Sequence, residues 1–150
     1  MKKLLLIRGA PGSGKTTLAE RMKREARKNG LSVFHVEADD FFTNHRGEYH
    51  YAPDRLHRAH DRCKEKAASR IGFSDLVIVA NCFTCGDHLA PYVEMGIKAG
   101  VEVEVVTCFG KFNNVHGVPE DVVDRLLATA EPVSVLEKRF PTVKFSRNMS

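Results

Sequence analysis

The sequence predicts an α/β fold in which a central parallel sheet carries helices on both faces, within one domain spanning residues 1–150. Three observations lead there. Short apolar runs alternate with amphipathic stretches of helical length, the order that right-handed strand–helix–strand crossovers require. The runs Leu4–Ile7 and Leu76–Ala80 are continuously apolar, as strands covered on both faces must be. A chain of 150 residues with 43% hydrophobic content is long enough to bury one core.

Lys3–Arg8 reads as the first strand, ending at a Gly/Pro-rich loop. A helix follows from Lys15 to Asn29, with Leu18, Met22 and Ala26 on one face and Gly30 placed to terminate it. Ser32–Glu37 is a second strand that runs into Asp39-Asp40, and the loop from Thr43 to Ala52 is polar. In Pro53–Ile71 the residues Leu56, Ala59, Cys63, Ala67 and Ile71 make one apolar helical stripe. Leu76–Ala80 is the third strand, Asp87–Ala99 a helix closed by Gly100, and Val101–Cys108 a fourth strand in which Glu102 and Glu104 alternate with Val103 and Val105. Pro119–Ala130 is a helix whose Pro119, Glu120 and Asp121 suit a helix start. The tail beyond Pro132 is expected to add a short helix and an edge strand near Val143–Phe145.

The apolar runs are far below the ~20 residues of a membrane helix. Met1-Lys2-Lys3 followed by leucines imitates a signal peptide, but the run stops at Arg8, so a cytoplasmic chain without membrane partners is expected. Cys63, Cys82, Cys85 and Cys108 do not suggest a disulfide framework in a chain able to pack its own core. The net charge of +4 is too small to announce a nucleic-acid binder by itself. Residues 1–30 nevertheless hold nine basic and two acidic side chains, and Lys23, Arg24, Arg27 and Lys28 read as a solvated helix face.

Gly9-Ala10-Pro11-Gly12-Ser13-Gly14-Lys15-Thr16, continued by Thr17, satisfies the P-loop pattern in full between a strand and a helix. The glycines let the backbone wrap a phosphate chain, the exposed amides attract anions, Lys15 reaches the β and γ phosphates, and Thr16 ligates Mg²⁺. A nucleoside triphosphate, ATP with Mg²⁺, is the expected ligand. Asp39 and Asp40 end the second strand, expected beside the first. A carboxylate there can take the proton of a hydroxyl approaching the γ-phosphate. The third strand ends Val79-Ala80-Asn81 without a carboxylate, unlike a switch GTPase or motor ATPase.

Over residues 1–131 the chain resembles the P-loop kinases of the phage-type polynucleotide 5′-kinase group and their AAA-type relatives. The resemblance rests on Gly9 to Thr17, Asp39-Asp40-Phe41, Gly47-Glu48-Tyr49 before a helix with Ala59-His60, Pro91-Tyr92, and His116-Gly117-Val118-Pro119. It implies a three-layer P-loop kinase fold and transfer of the ATP γ-phosphate to the 5′-hydroxyl of DNA or RNA. By the same resemblance Asp39 is the general base, with Lys15 and Thr16 holding ATP and Mg²⁺ and Asp40 beside the substrate. Two features depart from the group. An Asp-Thr-Asn type sequence after the third strand is replaced by Ala80-Asn81-Cys82-Phe83, leaving Asn81 as the polar substrate contact. Lid arginines after the fourth strand are also missing: between Lys98 and Arg125 the only Lys or Arg is Lys111. Lys111, next to Gly110 and near Asn113, Asn114 and His116, is placed either to stand in partly for the lid arginine or to lie as a solvent-exposed loop lysine.

Arg55, Arg58 and Arg62 fall on one face of the second helix and are placed to track a nucleic-acid backbone or to lie solvated. His60 borders the apolar stripe, as a packed histidine or a substrate contact, and His57 with Asp61 reads as a surface pair. Tyr49 and Tyr51 suit base stacking or loop anchoring. Cys82-Phe83-Thr84-Cys85 with His88 has the spacing of a partial zinc site that lacks a fourth ligand nearby. The leading expectation is a polynucleotide 5′-kinase with nucleic-acid ends as partner and no evident protein partner. A kinase of nucleosides, nucleotides or other metabolites, and a nucleotide-binding regulator or slow ATPase, are the other readings.

Overall fold

The computed structural model describes residues 2–110 and 128–148. Strands β1 (Lys3–Arg8), β2 (Val33–Val36), β3 (Leu76–Ala80), β4 (Glu102–Cys108) and β5 (Lys144–Asn148) form one sheet in the order β2-β3-β1-β4-β5. Every neighbouring pair is parallel. Helices α1 (Lys15–Lys28), α2 (Leu56–Arg70), α3 (Gly86–Ala99) and α4 (Val133–Arg139) connect and cover it. Both elements expected in the tail are present as α4 and β5. Of the helix expected at Pro119–Ala130, residues 128–129 are helical and residues 119–127 lie outside the described residues.

The alternation of side chains along β1 divides the core into two layers. Leu5 and Ile7 pack with Ile78 under Leu18, Ala19 and Ala26 of α1. Leu4 and Leu6 pack with Val77 and Val79 under Ala59, Cys63 and Ala67 of α2, Leu89 and Val93 of α3, and Leu136 of α4. Helices thus cover both faces. The approach of α3 is set by Gly96, where a Cβ would stand 2.4 Å from Val103 Cγ2 and 3.2 Å from Leu4 Cδ2.

Three expectations need correction. β2 does not lie beside β1, because β3 is inserted between them and pairs with both. Leu56 leaves the apolar stripe: a 3₁₀ turn at Pro53–Arg55 precedes α2, and Leu56 in its first turn is 37% exposed. The alternation in β4 does not put Glu104 in water, since β5 on one side and β1 on the other bury it to 7% exposure. Its carboxylate accepts bonds from Lys3 Nζ and, at 2.7 Å, from Ser146 Oγ.

The register brings three segments to one edge. Val36 faces Val79, and Ile7 faces both Ala80 and Val106. The loop after β1, the turn after β2 and the residues after β3 therefore leave the carboxyl ends of adjacent strands, where such sheets bind ligands.

Burial alone would raise the Glu104 pKa, but its bonds from Lys3 and Ser146 outweigh that and hold it below 4.5. The stabilisation is therefore fully present above the unfolded-state value and is lost as pH falls through the lower folded value. Urea unfolding of wild type and Glu104→Gln should show the largest stability gap near pH 7, closing as pH drops below about 4. A gap constant from pH 7 to pH 3 would refute the assignment.

Candidate nucleotide and acceptor site

The loop between β1 and α1 folds as its glycines require. Gly12 (φ 80°) and Gly14 (φ 98°) take left-handed conformations that disfavour other residues. At Gly9 a Cβ would stand 2.3 Å from Ser13 Oγ and 2.9 Å from the Cys108 carbonyl, so the close turn excludes any side chain there. The start of α1 has neither a side-chain cap nor an acidic residue in its first turn. Its amides are thus available to an anion. Lys15 Nζ donates to the carbonyls of Gly9 (2.8 Å) and Ala10 (3.0 Å), crossing the mouth of the loop. Ser13 Oγ is buried and has no hydrogen-bond partner among the described residues. Thr16 and Thr17 are exposed, and Thr16 Oγ1 lies 3.5 Å from Glu37 Oε1. A cradle closed to side chains, with a lysine, a hydroxyl and a carboxylate around it, fits a phosphate chain and its Mg²⁺.

The turn Ala38–Phe42 after β2 separates the two expected aspartates. Glu37 and Asp40 form a capping box: the Glu37 side chain accepts the Asp40 N–H, and Asp40 Oδ2 accepts the Glu37 N–H at 3.0 Å. Asp40, expected beside substrate, is thereby also engaged in holding the turn. Asp39 points the other way and accepts a bond from Tyr49 Oη at 3.1 Å. Burial, followed by the neighbouring Asp39 charge, pushes the Tyr49 phenol well above its usual range, so it remains a donor at neutral pH. Tyr49 is positioned by the pairing of Thr43 with Tyr49 and packs edge-on against Phe42, which makes it a loop anchor.

Asn81 ties the site together. Its N–H donates to Ile7 O (3.1 Å), its Oδ1 accepts the Ala38 N–H (2.8 Å), and its Nδ2 faces Cys63 Sγ at 3.6 Å. Beside it the Gly9 N–H donates to Cys82 O at 3.3 Å. The carboxamide expected to contact substrate thus also sets the turn that carries Asp39.

Two depressions flank α2. One, of about 170 Å³, lies between α2 and α3 and is lined by His60, Lys64, Asn81, Phe83, Asp87 and His88. The His60 pKa is lowered below the usual imidazole value by desolvation first and by His88, against the opposing pull of Asp39. The other, an open groove of about 490 Å³, gathers Arg55, Arg58 and Arg62 with Phe41, Asp61 and Glu65. Arg55 lies over the Phe41 ring at 5.8 Å, and Arg62 faces Glu65 at 3.6 Å. His57 and Asp61 form the expected surface pair at 3.2 Å. Lys111, Asn113, Asn114 and His116 lie outside the described residues. Among the described residues no group of three or more His, Cys, Asp or Glu converges on a metal position, and His88 Nδ1 faces Thr84 Oγ1 at 3.4 Å.

Sequence reasoning missed Arg8, Glu131 and Glu37. Arg8 is 3% exposed and donates to the carbonyls of Phe83 and Glu131, both at 2.9 Å. Glu131 in turn accepts the Gly86 N–H at 2.7 Å and donates its own N–H to Thr84 O at 2.7 Å. This clip fixes Phe83, whose φ of 46° is rare for a side chain of its size, on the wall of the smaller depression. No sequence pattern announces that clip. Glu37 was legible, because Glu37-x-x-Asp40 has the spacing of a capping box.

Residues 4–110 match the family model described as AAA domain, AAA_33. The uncharacterized protein PM0531 of Pasteurella multocida is 30% identical over 132 residues, covering 82% of this chain and 73% of that protein. Kti12 of Chaetomium thermophilum in complex with ADP-AlF3 superposes with TM-score 0.70 at 13% identity, covering 95% of this chain and 87% of that one. Mycobacterium tuberculosis APS kinase CysC in complex with AMPPNP and APS gives 0.55 at 18%, covering 97% and 78%. A chain of the Pnkp1/Rnl/Hen1 RNA repair complex gives 0.63 at 18%, where 94% of this chain spans 47% of the other. The fold is that of the P-loop kinases.

Asn81→Ala would leave the buried Ala38 N–H without its acceptor. It should lower the unfolding free energy by about 1–3 kcal/mol in urea titrations. Unchanged stability would show that the carboxamide does not hold the turn.

Proposed function

We propose, for a chain that belongs to the AAA domain family, that the P-loop binds ATP with Mg²⁺ and that the γ-phosphoryl group passes to a hydroxyl, the 5′-OH of DNA or RNA. The observation that supports this best is Asp39. Its carboxylate is set by Tyr49 on a turn that leaves the same sheet edge as the P-loop, with Asn81 bracing both.

Lys15 exchanges the Gly9 and Ala10 carbonyls for phosphate oxygens, which are stronger partners for an ammonium. The Thr16 hydroxyl would hold Mg²⁺, which when bound neutralises charge on the β and γ phosphates. Asp39 accepts the acceptor hydroxyl proton as its O–H bond breaks, the new bond to the γ-phosphorus forms and the bond from that phosphorus to the bridging oxygen breaks to release ADP, and Tyr49 keeps the carboxylate oriented. Arg55, Arg58 and Arg62 would carry the backbone phosphates of a strand whose end reaches the depression of His60 and Lys64. Asp87 and His88 wall that depression, and its small volume of about 170 Å³ favours a second reading in which the hydroxyl belongs to a small metabolite. A nucleotide-binding regulator that transfers to water is a third. Labelled γ-phosphate offered with oligonucleotides, with nucleosides and with water alone separates the three.

Two outcomes are expected. Asp39→Asn should lower transfer by roughly 10²–10⁴-fold with ADP affinity retained, whereas Lys15→Ala should lower transfer at least ~10²-fold and weaken nucleotide binding as well. Near-normal turnover in Asp39→Asn would remove the base. For a polynucleotide acceptor, log affinity should fall with log salt at about −0.7 per single-strand phosphate contact, and replacing the three arginines by Ala should flatten that slope. A salt-independent KM would favour the small acceptor.

A further inference from the structure

The sheet lacks a carboxylate where the third strand of many P-loop proteins ends in one, since Ala80 and Asn81 stand there and Asn81 is engaged by Ala38 and Ile7. A Mg²⁺ ion on a nucleotide keeps several waters and is commonly held by one or two protein carboxylates besides the phosphates. Three carboxylates follow β2: Asp40 caps the Glu37 N–H, Asp39 accepts from Tyr49, and Glu37 accepts the Asp40 N–H while its Oε1 lies nearest the P-loop hydroxyl of Thr16. The third faces the P-loop.

We propose that Glu37 supplies the carboxylate of the divalent-cation site whose hydroxyl is Thr16, replacing the carboxylate absent from the end of β3. Glu37 Oε1 lies 3.5 Å from Thr16 Oγ1. Neighbouring oxygens of an octahedral Mg²⁺ shell, at 2.0–2.1 Å from the ion, stand about 3 Å apart, so a small closing movement makes the two side chains adjacent ligands. The carboxylate is also oriented from behind, as ligating carboxylates are. His35 Nε2 lies 3.0 Å from the same oxygen, and Lys23 Nζ lies 3.4 Å from His35 Nδ1. The two ring nitrogens of His35 thus link Lys23 on one side to Glu37 on the other. Lys23 is held in turn by Glu20 at 3.0 Å. The Asp40 N–H gives the Glu37 side chain a second anchor. A carboxylate that merely capped the turn would need that last bond alone. The chain of Glu20, Lys23, His35 and Glu37 that ends on the P-loop hydroxyl is instead arranged as support for a ligand.

This inference rests on nucleotide binding at the P-loop and is independent of the acceptor. The test titrates Mn²⁺, followed by its electron paramagnetic resonance signal, into the full chain saturated with ADP. Glu37→Gln retains the cap acceptor and should weaken Mn²⁺ at least ~10-fold, with ADP affinity measured in EDTA unchanged. Glu37→Asp keeps the charge but withdraws it by one methylene, and it should fall between the two. Thr16→Ala should weaken Mn²⁺ as well. Mn²⁺ affinity in Glu37→Gln within twofold of wild type, with loss in Thr16→Ala, would overturn the assignment. Absence of ADP-dependent Mn²⁺ binding in wild type would overturn both it and the nucleotide reading. Failure of every oligonucleotide as acceptor, with Mn²⁺ binding still dependent on Glu37, would remove the acceptor reading and leave this one standing.

Discussion

The bonds made by Asn81 and Cys82 at the end of β3 are the constraint on which the site depends. β3 lies between β1 and β2, so the residues that follow it stand beside the turns leaving both neighbours. The Asn81 N–H reaches Ile7 and the Cys82 carbonyl reaches Gly9, which fixes the approach to the P-loop, while the Asn81 carboxamide accepts the Ala38 N–H and fixes the turn of Asp39. One dipeptide thereby sets the separation between the glycine-rich loop and the turn that carries Asp39. Reaction geometry depends on such separations to within a fraction of an ångström, and rigid backbone bonds hold them better than free side chains.

A second set of contacts stiffens the opposite wall. Arg8 ends β1 with its guanidinium inside the protein, where it satisfies two carbonyls that the chain brings together from residues 83 and 131. A buried guanidinium is costly unless its donors are met, and here they are met by backbone from both sides of the smaller depression. The clip joins the start of α3, through Gly86 and Glu131, to the segment that leads into α4. Close packing of α3 through Gly96 adds to the same rigidity.

Three carboxylates within residues 37–40 take three different parts because a tight turn points successive side chains in different directions. Asp40 turns back to the backbone, Asp39 faces Tyr49, and Glu37 faces Thr16 and His35. Identical chemistry is sorted by direction alone. A 3₁₀ turn, with three residues per turn, aligns Glu37 with Asp40 for reciprocal capping and leaves Asp39 on another side.

Local order along the chain was legible because it follows from local physics. β1, β3 and the start of α1 fall where periodicity and the glycine loop put them, and the pair Asp39-Asp40 stood out by its place at a strand end, with Asp39 set apart within it by the family resemblance alone. The P-loop was legible because its function is a property of consecutive backbone. What tertiary structure decided was adjacency. The insertion of β3 between β1 and β2, the burial of Glu104 against Lys3 and Ser146, and the reach of Arg8 to residue 131 join positions far apart in sequence. Side-chain direction belonged to it as well: the Glu37-x-x-Asp40 spacing announces a cap, but only the closed turn shows Asp39 directed at Tyr49 and Glu37 at Thr16. Asn81 illustrates the reason, since its carboxamide can brace the turn after β2 only because the sheet sets β2 beside β3.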